Sequence, residues 1–294
     1  MFSRAVVVRV ATYLAAAAFL LLLCTPLAYL SMRRAPPPEP APPATATGPP
    51  TYRLDQSFVQ TSPDGPVYDT LTVDQRLRRN LPTALPSAFP YYGHRTVYLT
   101  FDDGPDPEVT PAILRILHQA GIRATFFIVG TQAEKYPDIV RQIRRDGHAI
   151  GNHSYNHIYR ELYRSPAAYA GQLRHTDDIL MGILGVRPRI SRAPGGSAGS
   201  FTREYWAALD EQGYMEVGWN INSGDASRSK AGQLVANIAD QVSRRQFLWS
   251  HAVVLMHDGR GHQETARALP DIIRFFKDRG FEFRVVNHET PPAW

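Results

Sequence analysis

The chain has 294 residues, of which 44% are hydrophobic and 20% are charged, and its formal net charge is +5 at pH 7. This composition excludes a disordered protein and a protein wholly embedded in a membrane. The positive charge is small and unclustered, so no nucleic-acid-binding groove is predicted. The single cysteine, Cys24, excludes an intrachain disulfide framework and a cysteine-based cluster, so a metal would need histidine and carboxylate ligands.

The first 32 residues are predicted to form a membrane anchor. No charge lies between Arg9 and Arg33, and residues 10–30 are long enough to cross the ~30 Å core of a bilayer as a helix. A cleaved signal peptide is the alternative, but the apolar run exceeds the ~7–15 residues usual there, and no clear cleavage site follows. The positive charges favour an internal amino terminus. We therefore expect a single-pass protein of the cell membrane with its catalytic part outside the cytoplasm.

Two segments follow the predicted anchor. Residues 33–50 hold eight of the 24 prolines of the chain, which predicts an extended spacer. Residues 51–94 have weak periodicity and further proline and aspartate turns, which indicates a stalk or a wrapping segment. The globular module is predicted over residues 95–288.

Within this module, short β-rich runs alternate with amphipathic helical patterns. The first strand, Thr96–Phe101, precedes a helix with Thr110 as the expected N-cap, Pro111 as its first residue and Gly121 at its end. The alternation predicts an α/β fold with a parallel sheet, and the pattern alone allows an open doubly wound sheet or a closed barrel. The other predicted strands are Ala124–Val129, His148–Asn152, Arg189–Arg192, Met215–Trp219, Ala252–Met256 and Phe281–Val286. The other predicted helices surround Ile139–Ile143, Tyr169–Leu184, Thr202–Gln212, Leu234–Val242 and Ala266–Phe276.

Polar residues suited to metal and proton chemistry follow several of these strands. Asp102 and Asp103 end the first strand, where α/β folds place active sites, and their mutual repulsion favours a nearby cation. His153 and His157 follow the third strand at a spacing that suits a divalent metal. One aspartate with two histidines would leave coordination positions open for water and substrate. Three more polar segments follow other strands, at 192–196, 219–225 and 255–258.

With these residues, the chain resembles the polysaccharide deacetylases of the NodB-homology type, carbohydrate esterase family 4, from about Thr96 to Val286. The matching segments include Ala124–Phe127 and Gly147–His153. The resemblance implies a distorted (β/α) barrel of about seven units. It also implies one bound divalent metal, with zinc first and cobalt as an alternative, and hydrolytic removal of acetyl groups from a polysaccharide.

The resemblance implies a metal site and a catalytic base. Asp103, His153 and His157 would bind the metal, which would polarise the acetyl carbonyl and lower the pKa of its bound water. Asp102 would be the base that takes the proton of this water. Arg192 would keep the carboxylate of Asp102 ionised and in position.

Further implied roles concern the oxyanion, the leaving group and the substrate pocket. The backbone N–H of Gly195 would stabilise the tetrahedral oxyanion. His257, when protonated, would give its proton to the departing sugar amine. Leu255 and Asn222 are expected at the substrate pocket.

Three positions depart from the usual pattern of the family. Asn222 replaces an aspartate that supports the catalytic histidine, and Ala226 replaces a tryptophan that walls the acetyl pocket. Gly195 stands where an aromatic residue is common, which would open the cleft. We expect Asn222 to accept a hydrogen bond from His257 without contributing charge, and Asp225 to take over part of the support.

The favoured substrate is the N-acetylated glycan of peptidoglycan, because an anchored, outward-facing enzyme would reach it. Chitin oligomers, an exopolysaccharide and O-acetyl xylan are the alternatives. A serine hydrolase is a rival, because Ser197 lies in a G-x-S-x-G pattern and Asp225 and His257 follow in order, but that reading leaves the metal-type residues without a function. A wall-binding protein without activity is a further rival, although no implied ligand or base is missing. No nucleic-acid partner is expected, and the oligomeric state stays open.

Overall fold

A computed structural model describes residues 59–60, 65–85 and 88–293, all within the compact unit that begins at Arg53. The predicted anchor, residues 1–32, and the predicted spacer, residues 33–50, lie outside the described residues. None of the described helices is long and apolar enough to cross a membrane.

The fold is organised around an eight-stranded sheet in the order β8-β7-β5-β4-β3-β10-β9, with β11 beside β3, and every strand pair in it is parallel. In chain order the strands are β1 (Val59–Gln60), β2 (Tyr68–Asp69), β3 (Thr96–Asp102), β4 (Thr125–Ile128), β5 (Ala149–Asn152), β6 (Arg187–Pro188), β7 (Ile190–Ser191), β8 (Met215–Glu216), β9 (Ile221–Asn222), β10 (Ala252–His257) and β11 (Glu282–Phe283). The sheet is a curled half-barrel with β8 and β9 at its edges, which confirms the predicted parallel β/α architecture. It has one strand more than predicted, because the two residues of β9 are too few to show a period.

Helices lie between the strands along the chain. Their bounds are Val73–Arg78, Val109–Ala120, Gly130–Lys135, Pro137–Arg145, Tyr159–Leu162, Pro166–Leu184, Arg203–Gln212, Ala231–Arg244 and Gln263–Lys277. The helices at 73–78, 130–135 and 159–162 were not predicted, because each has six residues or fewer and so little apolar periodicity. Two 3₁₀ turns, Asp225–Ser227 and Gln246–Ser250, complete the regular elements of the described residues.

The start of the helix after β3 differs from the prediction. Thr110 is not the N-cap, because the helix already begins at Val109. Asp106 Oδ1 instead accepts two backbone N–H groups of the first turn, both at 2.9 Å. The Thr110 hydroxyl donates to the buried carboxylate of Asp258 at 2.6 Å, so a tertiary contact takes the side chain that local pattern assigned to capping. Gly121 ends the helix in the left-handed conformation, as predicted.

The side chains of β3 alternate between the apolar core and the concave side of the sheet that carries the site. Val97, Leu99 and Phe101 pack in the apolar layer that the helices share with the sheet. The intervening residues face the concave side, where Tyr98 joins a second apolar cluster and Asp102 lies at the carboxyl end of the strand.

A buried ionic cluster holds the segment 65–85 against the sheet. β2 pairs antiparallel with β6, and the carboxylate of Asp69 contacts Arg76 at 2.6 Å, Arg189 at 2.7 Å and Arg187 at 3.4 Å. All four side chains are almost completely buried. Burial alone would raise the pKa of Asp69, but the arginines hold it below its usual value. This part of the predicted stalk or wrapping segment therefore packs as structure on the module.

Candidate active site

Three side chains converge at the carboxyl ends of β3 and β5. Asp103 Oδ1 lies 3.2 Å from His157 Nε2 and 3.4 Å from His153 Nε2. This carboxylate oxygen is buried and accepts no hydrogen bond of standard geometry from the described residues. One oxygen and two imidazole nitrogens facing one another is a donor set that suits a divalent metal.

The surroundings of His153 orient it toward that point. Its Nδ1 lies 2.8 Å from the carbonyl oxygen of Arg192, and a carbonyl can only accept, so Nδ1 carries the hydrogen. Nε2 therefore faces Asp103. Burial opposes protonation of His153, but the carboxylates of Asp102 and Asp103 outweigh it and raise the pKa of the imidazole. The site thus favours a positive charge between these carboxylates, as a metal ion would supply.

The same residues are held in strained backbone conformations. Asp103, Ser154 and His157 have φ angles of 77°, 69° and 57°, in the left-handed region that side-chain-bearing residues seldom adopt. Each costs about 1–2 kcal/mol. Hydrogen bonds hold the turn in place: Ser154 Oγ accepts from the N–H of His157 at 3.2 Å, and Asn152 Oδ1 accepts from the N–H of Ser154 at 3.0 Å. Such strain is typical of sites whose ligands are pre-positioned.

Asp102 is buried beside this set and paired with Arg192. Arg192 Nη1 donates to Asp102 Oδ1 at 2.9 Å, while Asp102 Oδ2 lies 3.8 Å from His153 Nε2. Arg192 is itself fixed, because it also donates to Thr100 Oγ1 at 2.7 Å and to two backbone carbonyls. Arg192 directly follows the short strand β7, so these contacts lie at the carboxyl end of that strand. Asp102 is therefore the one carboxylate of the adjacent pair that is held by a permanent cation.

His257 lies at the end of β10, in register with Asp102 on the neighbouring strand. Its Nδ1 is 2.8 Å from Asp225 Oδ1, and its backbone N–H donates to Asp225 Oδ2 at 2.7 Å. The hydroxyl of Thr265 donates to the same oxygen, Asp225 Oδ2, at 2.8 Å. Burial would lower the pKa of His257, but Asp225 and the nearby carboxylates raise it to about 9. At neutral pH this imidazole is charged and can donate a proton from Nε2.

The structure does not place Asn222 against His257. The side chain of Asn222 is exposed, and its Oδ1 accepts from the N–H of Gly224 at 2.8 Å. The prediction that His257 donates a hydrogen bond to Asn222 is therefore wrong. The edge strand β9 turns Asn222 outward, and the 3₁₀ turn that follows places Asp225 beside the histidine instead. Leu255 is buried two residues before His257, on the same face of β10.

Gly195 is exposed at the rim of the site with a φ of 75°. A Cβ atom at this position would lie 2.8 Å from the hydroxyl of Tyr159, so Tyr159 occupies the space that a side chain here would need. The ring of Tyr159 also meets that of His157 edge to face, with centroids 5.4 Å apart. Tyr159 was missed in the sequence because it belongs to no motif. Ala226 is exposed in the 3₁₀ turn and contributes no wall.

Two further acidic groups lie near the site: Asp258, which belongs to the polar segment 255–258 but was given no role, and Glu216, which was missed. Asp258 is buried, accepts from the N–H of Gly104 at 3.1 Å, and donates its own N–H to the carbonyl of Asp102 at 3.0 Å. Burial, together with Asp103 and Asp102, raises the pKa of Asp258 to about 7. Burial likewise raises the pKa of Glu216 to about 7, and this side chain accepts from the N–H of Ala193. Both support loops that carry site residues.

His262 is the remaining group that the sequence did not single out. Its ring stacks on that of His257 with centroids 4.9 Å apart, and its Nδ1 lies 3.7 Å from Asp225 Oδ2. The sequence carries no sign of this contact, because it depends on how the turn after β10 folds.

The serine hydrolase alternative lacks its geometry. Within the part of the chain that the structure describes, the side-chain partner of His257 is Asp225, and no hydrogen bond joins Ser197 to either nitrogen of this imidazole. The residues after Ser197 form turns, and the next helix begins only at Arg203. A nucleophile elbow requires a helix directly after the serine.

Comparison with known proteins places this site in a recognised group. Residues 91–217 match the family model described as polysaccharide deacetylase. The chain is 30% identical over 211 residues to a peptidoglycan-N-acetylglucosamine deacetylase of Bacillus cereus, which covers 70% of this chain and 74% of the relative. It is 31% identical over 209 residues to a chitooligosaccharide deacetylase of Bradyrhizobium, over 65% of this chain and 88% of the relative.

Solved structures show the same similarity. A carbohydrate esterase of family 4 from Streptococcus mutans aligns with a TM-score of 0.61 and 34% identity, over 66% of this chain and 87% of that one. A polysaccharide deacetylase from Bacillus cereus aligns with a TM-score of 0.61 and 29% identity, over 68% of this chain and 97% of that one.

Proposed function

The chain belongs to the polysaccharide deacetylase family, and from that membership we propose that it removes N-acetyl groups from the amino sugars of cell-wall peptidoglycan. The observation that carries the proposal is the convergence of Asp103, His153 and His157 beside the Arg192-held carboxylate of Asp102. Relatives named as peptidoglycan-N-acetylglucosamine deacetylases support the wall glycan as substrate. Relatives named as chitooligosaccharide deacetylases make chitin oligomers the second candidate.

Asp103, His153 and His157 would hold one divalent metal. Two imidazoles and one carboxylate form a ligand set common in catalytic zinc sites, so zinc is the metal proposed. When bound, the metal supplies a Lewis acid for the acetyl carbonyl and lowers the pKa of water that it binds. The buried Asp103 oxygen without a hydrogen-bond partner fits a role as ligand.

The protein's own groups perform the proton transfers. Asp102, held in position by the hydrogen bond from Arg192, accepts the proton of the attacking water. Gly195 is exposed, and its N–H donates no hydrogen bond to the described residues, so it can donate to the oxyanion that develops on the acetyl carbonyl. His257, charged because of Asp225, gives its proton to the sugar nitrogen as the C–N bond breaks. The products are acetate and a free amine.

The enzyme acts outside the cytoplasm, tethered to the cell membrane by residues 1–32. The uncharged run between Arg9 and Arg33 and the proline-rich spacer after it support this arrangement. The tether would hold the site within reach of the wall glycan.

The test measures acetate release by the full-length protein in detergent. Metal-depleted protein is reloaded with zinc or cobalt and assayed on peptidoglycan, chitin pentamer and acetyl-xylan. We expect release to require metal and to be fastest on peptidoglycan. Faster release from chitin pentamer would establish the second candidate instead, and full activity in metal-free protein would contradict the metal assignment. Labelling of Ser197 by a fluorophosphonate, with loss of activity, would support the serine hydrolase alternative instead.

A further inference from the structure

A cavity of about 210 Å³ opens beside Asp103, between the turn after β3, the helix Gly130–Lys135 and the turn after β10. We propose that this cavity is a subsite for a carboxylate group carried by the glycan next to the sugar that is deacetylated. The inference rests on the proposed function and adds to it a preference for anionic over neutral glycans. We call this cavity the anion subsite.

Hydrogen-bond donors dominate the lining of the anion subsite. Lys135 and Arg260 both line it, and neither forms an ion pair with a described residue. The side chains of Gln132 and Tyr136 line it as well and form no hydrogen bond with the described residues. His262 completes the set. An ammonium, a guanidinium, an amide and a phenol therefore line one space, and none of them has an acceptor among the described residues.

The two carboxylates at this cavity do not neutralise these cations. Asp106 Oδ1 already accepts two backbone N–H groups at the start of the next helix, both at 2.9 Å. Asp103 Oδ1 faces the imidazoles of His153 and His157. No salt bridge joins either aspartate to Lys135 or Arg260 within the described part of the chain.

This imbalance favours an anionic ligand. A neutral sugar hydroxyl donates as well as accepts, so a neutral glycan would be matched by a mixed lining. A carboxylate only accepts, and guanidinium and ammonium groups bind it with the strongest hydrogen bonds available to side chains. Because Asp103 forms part of the wall, a carboxylate bound here would belong to a unit adjoining the acetyl group under attack.

Peptidoglycan offers such carboxylates in two places, whereas chitin oligomers offer none. One is the lactyl group of the bare glycan strand, and the other is the peptide attached to that group. Both present the same chemistry to Lys135 and Arg260, so substrates must separate them. The anion subsite would therefore favour peptidoglycan over chitin oligomers, the two candidate substrates.

The experiment compares the wild-type protein with the double variant Lys135→Gln, Arg260→Gln. Arg115→Gln is the matched control, because Arg115 is an exposed arginine on the helix Val109–Ala120 and does not line the cavity. The substrates are bare glycan strands with free lactyl groups, the same strands with methylamidated lactyl groups, peptide-bearing strands, and chitin pentamer. We expect the double variant to lower the kcat/KM ratio of anionic strand to chitin pentamer about tenfold, the usual scale of a charge-assisted contact. The loss should lie in KM, with bound metal unchanged, and the Arg115→Gln ratio should equal that of wild type.

Each outcome decides the inference. A loss on bare strands that disappears with the amidated strands assigns the lactyl carboxylate, and a loss confined to peptide-bearing strands assigns the peptide carboxylate. Equal ratios for wild type and double variant on every substrate overturn the anion subsite. If no substrate releases acetate, the proposed function fails by itself. Calorimetric binding of a muramic-acid disaccharide to both proteins still decides the subsite, with about tenfold weaker binding expected for the double variant and equal binding overturning it.

Discussion

Replacing Asp225 by asparagine should shift the alkaline limit of activity. His257 must be protonated to give its proton to the leaving amine, so kcat/KM should fall as the pH rises through the pKa of this histidine. That pKa is raised to about 9, and the hydrogen bond that His257 donates to Asp225 is the strongest of the contributions that raise it. Asp225→Asn keeps a side chain of the same size but removes the charge.

The size of the effect follows from the raised pKa. The rise from 6.5 to about 9 corresponds to about 3 kcal/mol of preference for the charged imidazole. Without Asp225, burial lowers the pKa, while Asp102 and Asp103 still raise it. We therefore expect the alkaline limb of Asp225→Asn to move down by about two pH units, toward the ordinary histidine value.

The assay is a profile of kcat/KM against pH on one soluble glycan, because this quantity reports the acid and base of the free enzyme. Two variants serve as controls. Thr265→Val removes one hydrogen bond to Asp225 but leaves its charge, so its limb should stay close to that of wild type. Asn222→Asp adds a carboxylate on an exposed side chain directed at Gly224, so its limb should not move.

Three results would contradict this account of His257. An unchanged limb in Asp225→Asn would mean that Asp225 does not set the pKa of the acid. An upward shift in Asn222→Asp would mean that the edge-strand position of Asn222 is incorrect and that the family's usual support acts from there. An equal downward shift in Thr265→Val would assign the effect to the geometry of the carboxylate and not to its charge.

Three more predictions concern the metal site, the buried ionic cluster around Asp69 and the predicted membrane anchor. His153→Ala should lose both bound metal and activity, whereas Asp102→Asn should keep metal, measured by elemental analysis, while kcat falls about 10²–10⁴-fold, the usual contribution of a general base; loss of metal in Asp102→Asn would contradict the division of roles. Asp69→Ala should lower the free energy of unfolding by about 3–5 kcal/mol in denaturant titration, because it leaves three buried arginines without their shared carboxylate; a loss below 1 kcal/mol would show that the cluster is not buried as described. Deleting residues 1–32 should release active protein from the membrane fraction, and full-length chain found free in the cytoplasm would refute the anchor.

Local sequence patterns predicted a parallel β/α sheet and the candidate residues, whereas the barrel and the role of each residue came from the family resemblance. Strands such as β3 and β10 are short apolar runs followed closely by turn-forming residues, so both features can be recognised in the sequence and predict the strands. Asp102, Asp103, His153, Arg192 and His257 were identified from the sequence because they follow strands whose carboxyl ends meet at one edge of a parallel sheet. The structure brings all five together there.

Only the tertiary structure decided those side-chain contacts that the local sequence does not predict or predicts wrongly. Thr110 is a good N-cap in sequence, yet the buried carboxylate of Asp258 takes its hydroxyl. Asn222 and Asp225 lie three residues apart, and an edge strand followed by a 3₁₀ turn decides that only Asp225 reaches His257.

The same holds for contacts between distant segments. Lys135 and Arg260 are 125 positions apart in the chain and line one cavity, while Asp69 meets Arg187 and Arg189 across more than a hundred residues. A residue's propensity and period depend on its neighbours in sequence, so they can be read directly from it. Which distant groups pair depends on how the packed layers bury charge and satisfy hydrogen bonds, and these are properties of the whole fold.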